Sequence, residues 1–171
     1  MKYAAIFMIV LVAIGLALGA YTYANARLTV ASISLSTTPG VEKAEDFAAL
    51  QSAMDQHALM GTAYADSLPG SSGDYDFETY AFRLRNKGLI SAEMVEITPV
   101  PLEGDMLSYA TLDPAQVNAN LIVPARGEQD AWCVILTKGG QDAPLHPKRQ
   151  FRVTYYMWGK TKTALVSCDG Y

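Results

Sequence analysis

From Tyr3 to Ala26 the chain carries no charged side chain, with Lys2 before the run and Arg27 after it. Ala4 to Ala20 is almost wholly apolar, and Tyr21, Thr22 and Tyr23 lengthen the run. A hydrocarbon core needs about 20 apolar residues as helix, so the pattern predicts a transmembrane helix over residues 4–23 with its Tyr pair at an interface. An apolar circumference leaves no polar face to turn toward water. Lys2 keeps the amino end cytoplasmic by the positive-inside rule, which sends the chain from Arg27 onward out of the cytosol. A second reading stays open. Ala24-Asn25-Ala26 has the small-x-small form of a signal-peptide cleavage site, although it lies late, behind two bulky Tyr. Residues 1–26 are therefore a membrane anchor or a signal peptide, and residues 27–171 one extracytoplasmic domain.

Beyond Arg27 the apolar period shortens. Leu28 to Ser36 alternates as a strand, with Ile33 and Leu35 its strongest apolar positions. Thr38-Pro39 then offers a cap and a first-turn Pro, with Glu42, Glu45 and Asp46 where a helix dipole favours negative charge. Phe47, Leu50, Met54 and Ala58 recur at helical spacing, which predicts a short amphipathic helix over about 42–58, ending near Gly61. Leu68 to Asp76 reads as a loop. Strands are expected from Phe77 to Arg85 and from Ala92 to Val100, around an Asn86-Lys87-Gly88 turn whose residues tolerate positive φ. Met106 to Leu112 and Val117 to Val123 read as two more, separated by Asp113-Pro114. Ala131 to Thr137 is apolar on both faces, as at the centre of a packed sheet. After a loop from Lys138 to Arg149, Phe151 to Trp158 and Thr161 to Cys168 form a hairpin around Gly159-Lys160. The expectation is a mainly β fold: a β-sandwich of about seven or eight strands with one short amphipathic helix.

Charge narrows the function classes. The 171 residues carry a net charge of -4, and their Lys and Arg are scattered. A nucleic-acid surface needs a basic stripe, so no nucleic-acid partner is expected. Cys133 and Cys168 fall on strand positions that share a face with Ile135 and Val166, both pointing inward. In an exported protein they are candidates for a disulfide, with two buried thiols as the alternative. A bridge closing such a loop would stabilise by roughly 3–4 kcal/mol.

Candidate chemistry is sparse. No Gly-x-Ser-x-Gly element is present, and His57 and His146 are isolated from Cys and acidic partners at ligand spacing. Glu93 and Glu96 fall on opposite faces of a strand, unsuited to sharing one substrate bond. Asp74, Asp76 and Glu78 alternate, but the Gly and distal Glu of a calcium loop are missing. No catalytic residue, metal or cofactor is expected. The most suggestive surface group is Arg152, Tyr156 and Trp158, which share the face opposite Phe151, Val153, Tyr155 and Met157. A Tyr and a Trp beside Arg152 are suited to stacking a sugar or seating a peptide.

The stretch from Tyr80 to Ile97, with Asn86-Lys87-Gly88 and Ala92 between its strands, resembles a signature of immunoglobulin-like modules in bacterial envelope proteins. It is also similar to single-anchor bacterial proteins with an exported domain of this size. The resemblance implies a sandwich fold and an interaction role; the helix near Phe47 is an addition to that pattern. The expected function is a non-enzymatic, membrane-anchored interaction module of the cell envelope, binding a protein or an envelope polymer. One alternative is an accessory subunit of a larger membrane assembly, in which Gly15 and Gly19 let another helix approach. The other is a secreted carbohydrate- or peptide-binding domain. An enzyme would require a pocket gathering His146 with carboxylates.

Overall fold

The charge-free run forms one continuous helix, α1 (Lys2–Asn25). In the computed structural model, which describes residues 2–112, 120–139 and 148–168, none of the span from Tyr3 to Ala24 is buried against the rest of the chain. Its length, about 36 Å at 1.5 Å per residue, exceeds a hydrocarbon core of roughly 30 Å. Among the described residues it is the one helix long and apolar enough to cross a membrane.

Two residues later the body begins with β1 (Leu28–Pro39), which pairs antiparallel along its whole length with β3 (Tyr75–Asn86). A 3-10 turn, Gly40–Lys43, leads into α2 (Ala44–Asp55), and a three-residue strand β2 (Gly61–Ala63) precedes β3. The remaining strands are β4 (Glu93–Pro99), β5 (Asp105–Tyr109), β6 (Glu128–Lys138), β7 (Arg149–Met157) and β8 (Lys160–Cys168). They make two antiparallel sheets, a five-stranded one ordered β1-β3-β6-β5-β2 and a three-stranded one ordered β4-β7-β8.

The alternation decides which side chains meet. Tyr80, Phe82 and Leu84 of β3 and Ala131, Cys133 and Ile135 of β6 share one core with Phe151, Val153, Tyr155 and Met157 of β7. Phe151 sits edge-on to both Tyr80 and Phe82, at 4.7 and 4.9 Å between ring centroids. The opposite face of the five-stranded sheet is covered at one end by α2. There Phe47, Leu50 and Met54 pack on Tyr75, Phe77, Leu107, Val134 and Leu136. This is why Cys133 to Leu136 is buried on both faces, as its unbroken apolar run predicts.

Several details depart from expectation. The segment from Gly61 to Ala63 pairs with β5, and Gly is required there because a Cβ would strike the Ser108 carbonyl. Among the described residues the left-handed ones are His57, Met94, Arg126 and Trp158, with Gly70, Gly104 and Gly159, rather than Asn86, Lys87 or Gly88. Asn86 makes its turn with its side chain instead: its Oδ1 accepts from Gly88 N and its Nδ2 donates to the Ile90 carbonyl, both at 2.8 Å. Within the stretch expected as a strand from Val117 to Val123, residues 117–119 lie outside the described residues. Of the described part, Val123 makes an isolated bridge to Ala92.

The expected disulfide is not formed. Cys133 and Cys168 are both buried but lie on different sheets. Their ladder partners, Tyr80 and Arg149, meet between the sheets, where Arg149 Nε donates to Tyr80 Oη at 3.1 Å. Burial also pushes the Cys133 thiol up, which disfavours the thiolate that forming a bridge requires.

Candidate functional site

The two sheets do not cover each other evenly. β5 pairs with β6 only from Thr137 to Val134, so from Gln129 to Cys133 one edge of β6 has no strand partner among the described residues. Facing it is β4, whose free edge is taken up at Ala92 by Val123 and at Val95 by a bond from its N–H to the Leu121 carbonyl, 3.1 Å. From Glu96 to Thr98 that edge, too, has no strand partner among the described residues. Between these edges lies a cleft of about 830 Å³.

Its water-facing lining mixes apolar and polar side chains, with Thr62, Glu96, Asn120 and Gln129 exposed beside the apolar ones. Met60, Met94, Ile122 and Trp132 all line the cleft and are exposed, Trp132 at 54% and Met94 at 62%. Trp132 is on the α2 side of the sheet, but α2 stops short of it. Met94 owes its position to strain. The β4–β7 register shifts between Glu93 and Glu96, and Met94 sits in that bulge at φ 51°. A left-handed non-Gly residue costs roughly 1–2 kcal/mol, and such outliers concentrate where a side chain must be aimed. Asp130 lies on the polar side of the cleft, held in a fork by Arg83 at 2.9 and 3.2 Å. That hydrogen bond holds its carboxyl below the ordinary value.

Arg152, Tyr156 and Trp158 are elsewhere. Arg152 and Tyr156 are exposed on the outer face of β7, opposite Leu165 and Thr161 of β8. Trp158 lies past the strand end at φ 57°, with its ring edge-on to Tyr23 of α1 at 6.1 Å. None of the three lines the cleft.

The structure also contains a buried ionic cluster that the sequence reading did not single out. Arg149 donates from Nη1 and Nη2 to both oxygens of Asp105 at 2.7 and 2.9 Å, from Nη2 to Glu78 at 3.2 Å, and from Nε to Tyr80. Tyr80 in turn donates to Glu78 at 2.8 Å. Burial opposes the charge on Arg149, but the Asp105 carboxylate outweighs it and raises its pKa. Burial also raises the Tyr80 phenol, helped by Glu78, and pushes the Cys133 thiol up to about 12. With Arg149 committed to three partners and Cys133 kept as thiol, the cluster ties β3, β5 and β7 together and offers no nucleophile. Its signal was present in the alternation: Glu78 falls in phase with Tyr80 and Phe82, and Arg149 with Phe151 and Val153.

The alternating acids therefore diverge. Asp74 accepts from Ser71 N and Oγ, while Glu78 turns inward to Arg149. His57 is exposed just past α2, and His146 lies outside the described residues. Among the described residues no group of His, Cys, Asp and Glu is gathered to hold a metal. No protein-family model, no curated protein and no solved structure matches the chain.

Proposed function

We propose that this protein is a non-enzymatic interaction module of the bacterial envelope, held in the membrane by α1, that captures an extended segment of a partner protein in the cleft between β4 and β6. The observation that carries the reading is the coincidence of open strand edges with exposed Met60, Met94, Ile122 and Trp132 in one concavity. Open edges supply main-chain hydrogen bonds to an added strand, and the apolar side chains supply pockets for its alternate residues. Flexible Met beside a rigid Trp suits a surface that must adapt to its occupant. In this reading the body lies outside the cytosol, and we take its two antiparallel sheets as those of an immunoglobulin-like module.

The test is a photoreactive phenylalanine analogue at position 132, with position 165 as control, in the full chain in its native membrane. The reading predicts a discrete protein adduct from position 132 that Met94→Asp abolishes, and none from position 165. Equal labelling from both positions, or an adduct indifferent to Met94→Asp, contradicts it.

A second reading, a subunit packed through its helix, is favoured by Gly15 and Gly19. Among the described residues, nothing beyond the helix's own backbone comes within 4 Å of a Cβ built at either. Small residues four apart let helices pack closely. The two readings are compatible, since one concerns α1 and the other the body.

A further inference from the structure

The end of the body from which α1 emerges is basic, although the chain as a whole is acidic. Arg27 lies two residues past the helix end, and its carbonyl accepts from Lys87 N at 3.0 Å. Arg126 N donates to the Gly88 carbonyl at 3.1 Å, in the same group of loops. Lys162 Nζ donates to the Ala26 carbonyl at 2.7 Å, and the Lys160 and Lys162 ammonium groups stand 5.9 and 5.4 Å from the Tyr23 ring centroid. Arg27, Lys87, Arg126, Lys160 and Lys162 thus surround the helix end from four separate segments. Acid at this end is sparse: Glu128 is engaged by Arg85 at 2.6 Å, and Glu93 pairs in the ladder with Tyr156. The other end of β1, roughly 35–40 Å away at about 3.3 Å per residue, carries Glu42, Glu45, Asp46, Asp74 and Asp76.

The same basic end presents apolar tips. Leu89 is exposed, and Trp158 is 40% exposed at the turn of the β7–β8 hairpin. Trp158 and Gly159 take successive left-handed conformations, φ 57° and 71°, a turn that a bulky residue enters only under strain. Tyr and Trp rings beside Lys are the composition that settles at a membrane–water interface, with the stems in the apolar zone and the charges among phosphates.

We propose that this end of the body docks on anionic phospholipid headgroups of the bilayer that holds α1, with the β7–β8 hairpin tip reaching into the headgroup layer. Only Ala26 and Arg27 separate α1 from β1, and Ala26 is buried, so the body has little freedom to swing. Lys and Arg near an anionic surface each add attraction that salt screens. The body then stands upright, with α2 and its acids farthest from the lipid. The inference rests on α1 being a retained anchor.

The test uses the full chain in nanodiscs of phosphatidylcholine, with or without phosphatidylglycerol, carrying lipids brominated near the glycerol end of the acyl chains. Trp132→Phe leaves Trp158 as the fluorophore, and Trp158→Phe leaves Trp132. The expected result is strong quenching of Trp158 in phosphatidylglycerol discs. That quenching weakens in phosphatidylcholine alone, at high salt, or in Lys160→Ser/Lys162→Ser, and returns in the double Arg variant. Trp132 is expected to stay unquenched throughout. Because the lipid and salt comparisons use the unaltered basic residues, a folding defect in the Ser variant does not decide the outcome. Incorporated protein whose Trp158 is unquenched, or quenched regardless of lipid charge, overturns the proposal. Failure to incorporate at all overturns the anchor reading beneath it.

Discussion

At the scale of single residues, Arg149 holds the body together more than any exposed charge does. Its guanidinium lies between Asp105, Glu78 and Tyr80, with the Arg149 and Asp105 side chains 3% and 1% exposed. Removing one member of a buried charge group leaves the others uncompensated. Arg149→Met is therefore expected to cost about 3–5 kcal/mol, read as a lowered urea midpoint at unchanged slope. Converting Arg149, Asp105 and Glu78 together to apolar residues of similar volume should recover much of that loss, because no charge then remains buried. Cys133 permits a check that depends on pH. Above the ordinary thiol value of 9.0 the unfolded chain releases this proton, while the folded chain keeps it up to about 12. The unfolded state then binds fewer protons, so stability is expected to fall as pH rises through that window, and Cys133→Ala should remove that part of the slope. Native protein should also react slowly with a thiol reagent and release both thiols in denaturant. Immediate loss of reactivity in both states would reveal a bridge that the structure does not contain.

At the scale of elements, α2 supports the sheet it covers while the bulge of β4 carries strain. Leu50 of α2 is fully buried on the outer face of the five-stranded sheet, so Leu50→Ala is expected to destabilise by about 2–5 kcal/mol in urea denaturation. Met94 behaves in the opposite way. Met94→Gly relieves a left-handed backbone and should leave stability within about 1 kcal/mol of the parent or above it, while abolishing the adduct at position 132. A Met94→Gly protein that still forms the adduct would detach the bulge from binding. What was legible in the chain follows the same division. Long strands with clean alternation, such as Tyr75–Asn86 and Arg149–Met157, disclose both their existence and their buried face, and α2 is marked by its Phe47, Leu50 and Met54 stripe. The short β2 segment, Gly61 to Ala63, is exposed throughout and has no alternation to read. The cleft escapes for a different reason: it depends on where β5 stops and how far α2 reaches, and neither leaves a mark in local sequence. Trp132 looks like one more core residue of an apolar strand until the covering helix is seen to end before it.

At the scale of the whole molecule, the chain is a long apolar helix, a two-residue join and a two-sheet body with basic and acidic ends. The apolar helix was the plainest feature of the sequence, because its length and freedom from charge can be read without any contact within the fold. The charge asymmetry was hidden, since Arg27, Lys87, Arg126, Lys160 and Lys162 are scattered along the chain and gathered only by the sheet topology. A role in the envelope requires the body to lie on the outer side of the membrane that holds α1. The most direct measurement is labelling of Leu165→Cys, at an exposed position of β8, with a membrane-impermeant maleimide in intact cells. The buried Cys133 and Cys168 provide a low background. The account predicts rapid labelling without permeabilisation, on a band of full length that sediments with membranes. Labelling that appears only after the membrane is breached would contradict it.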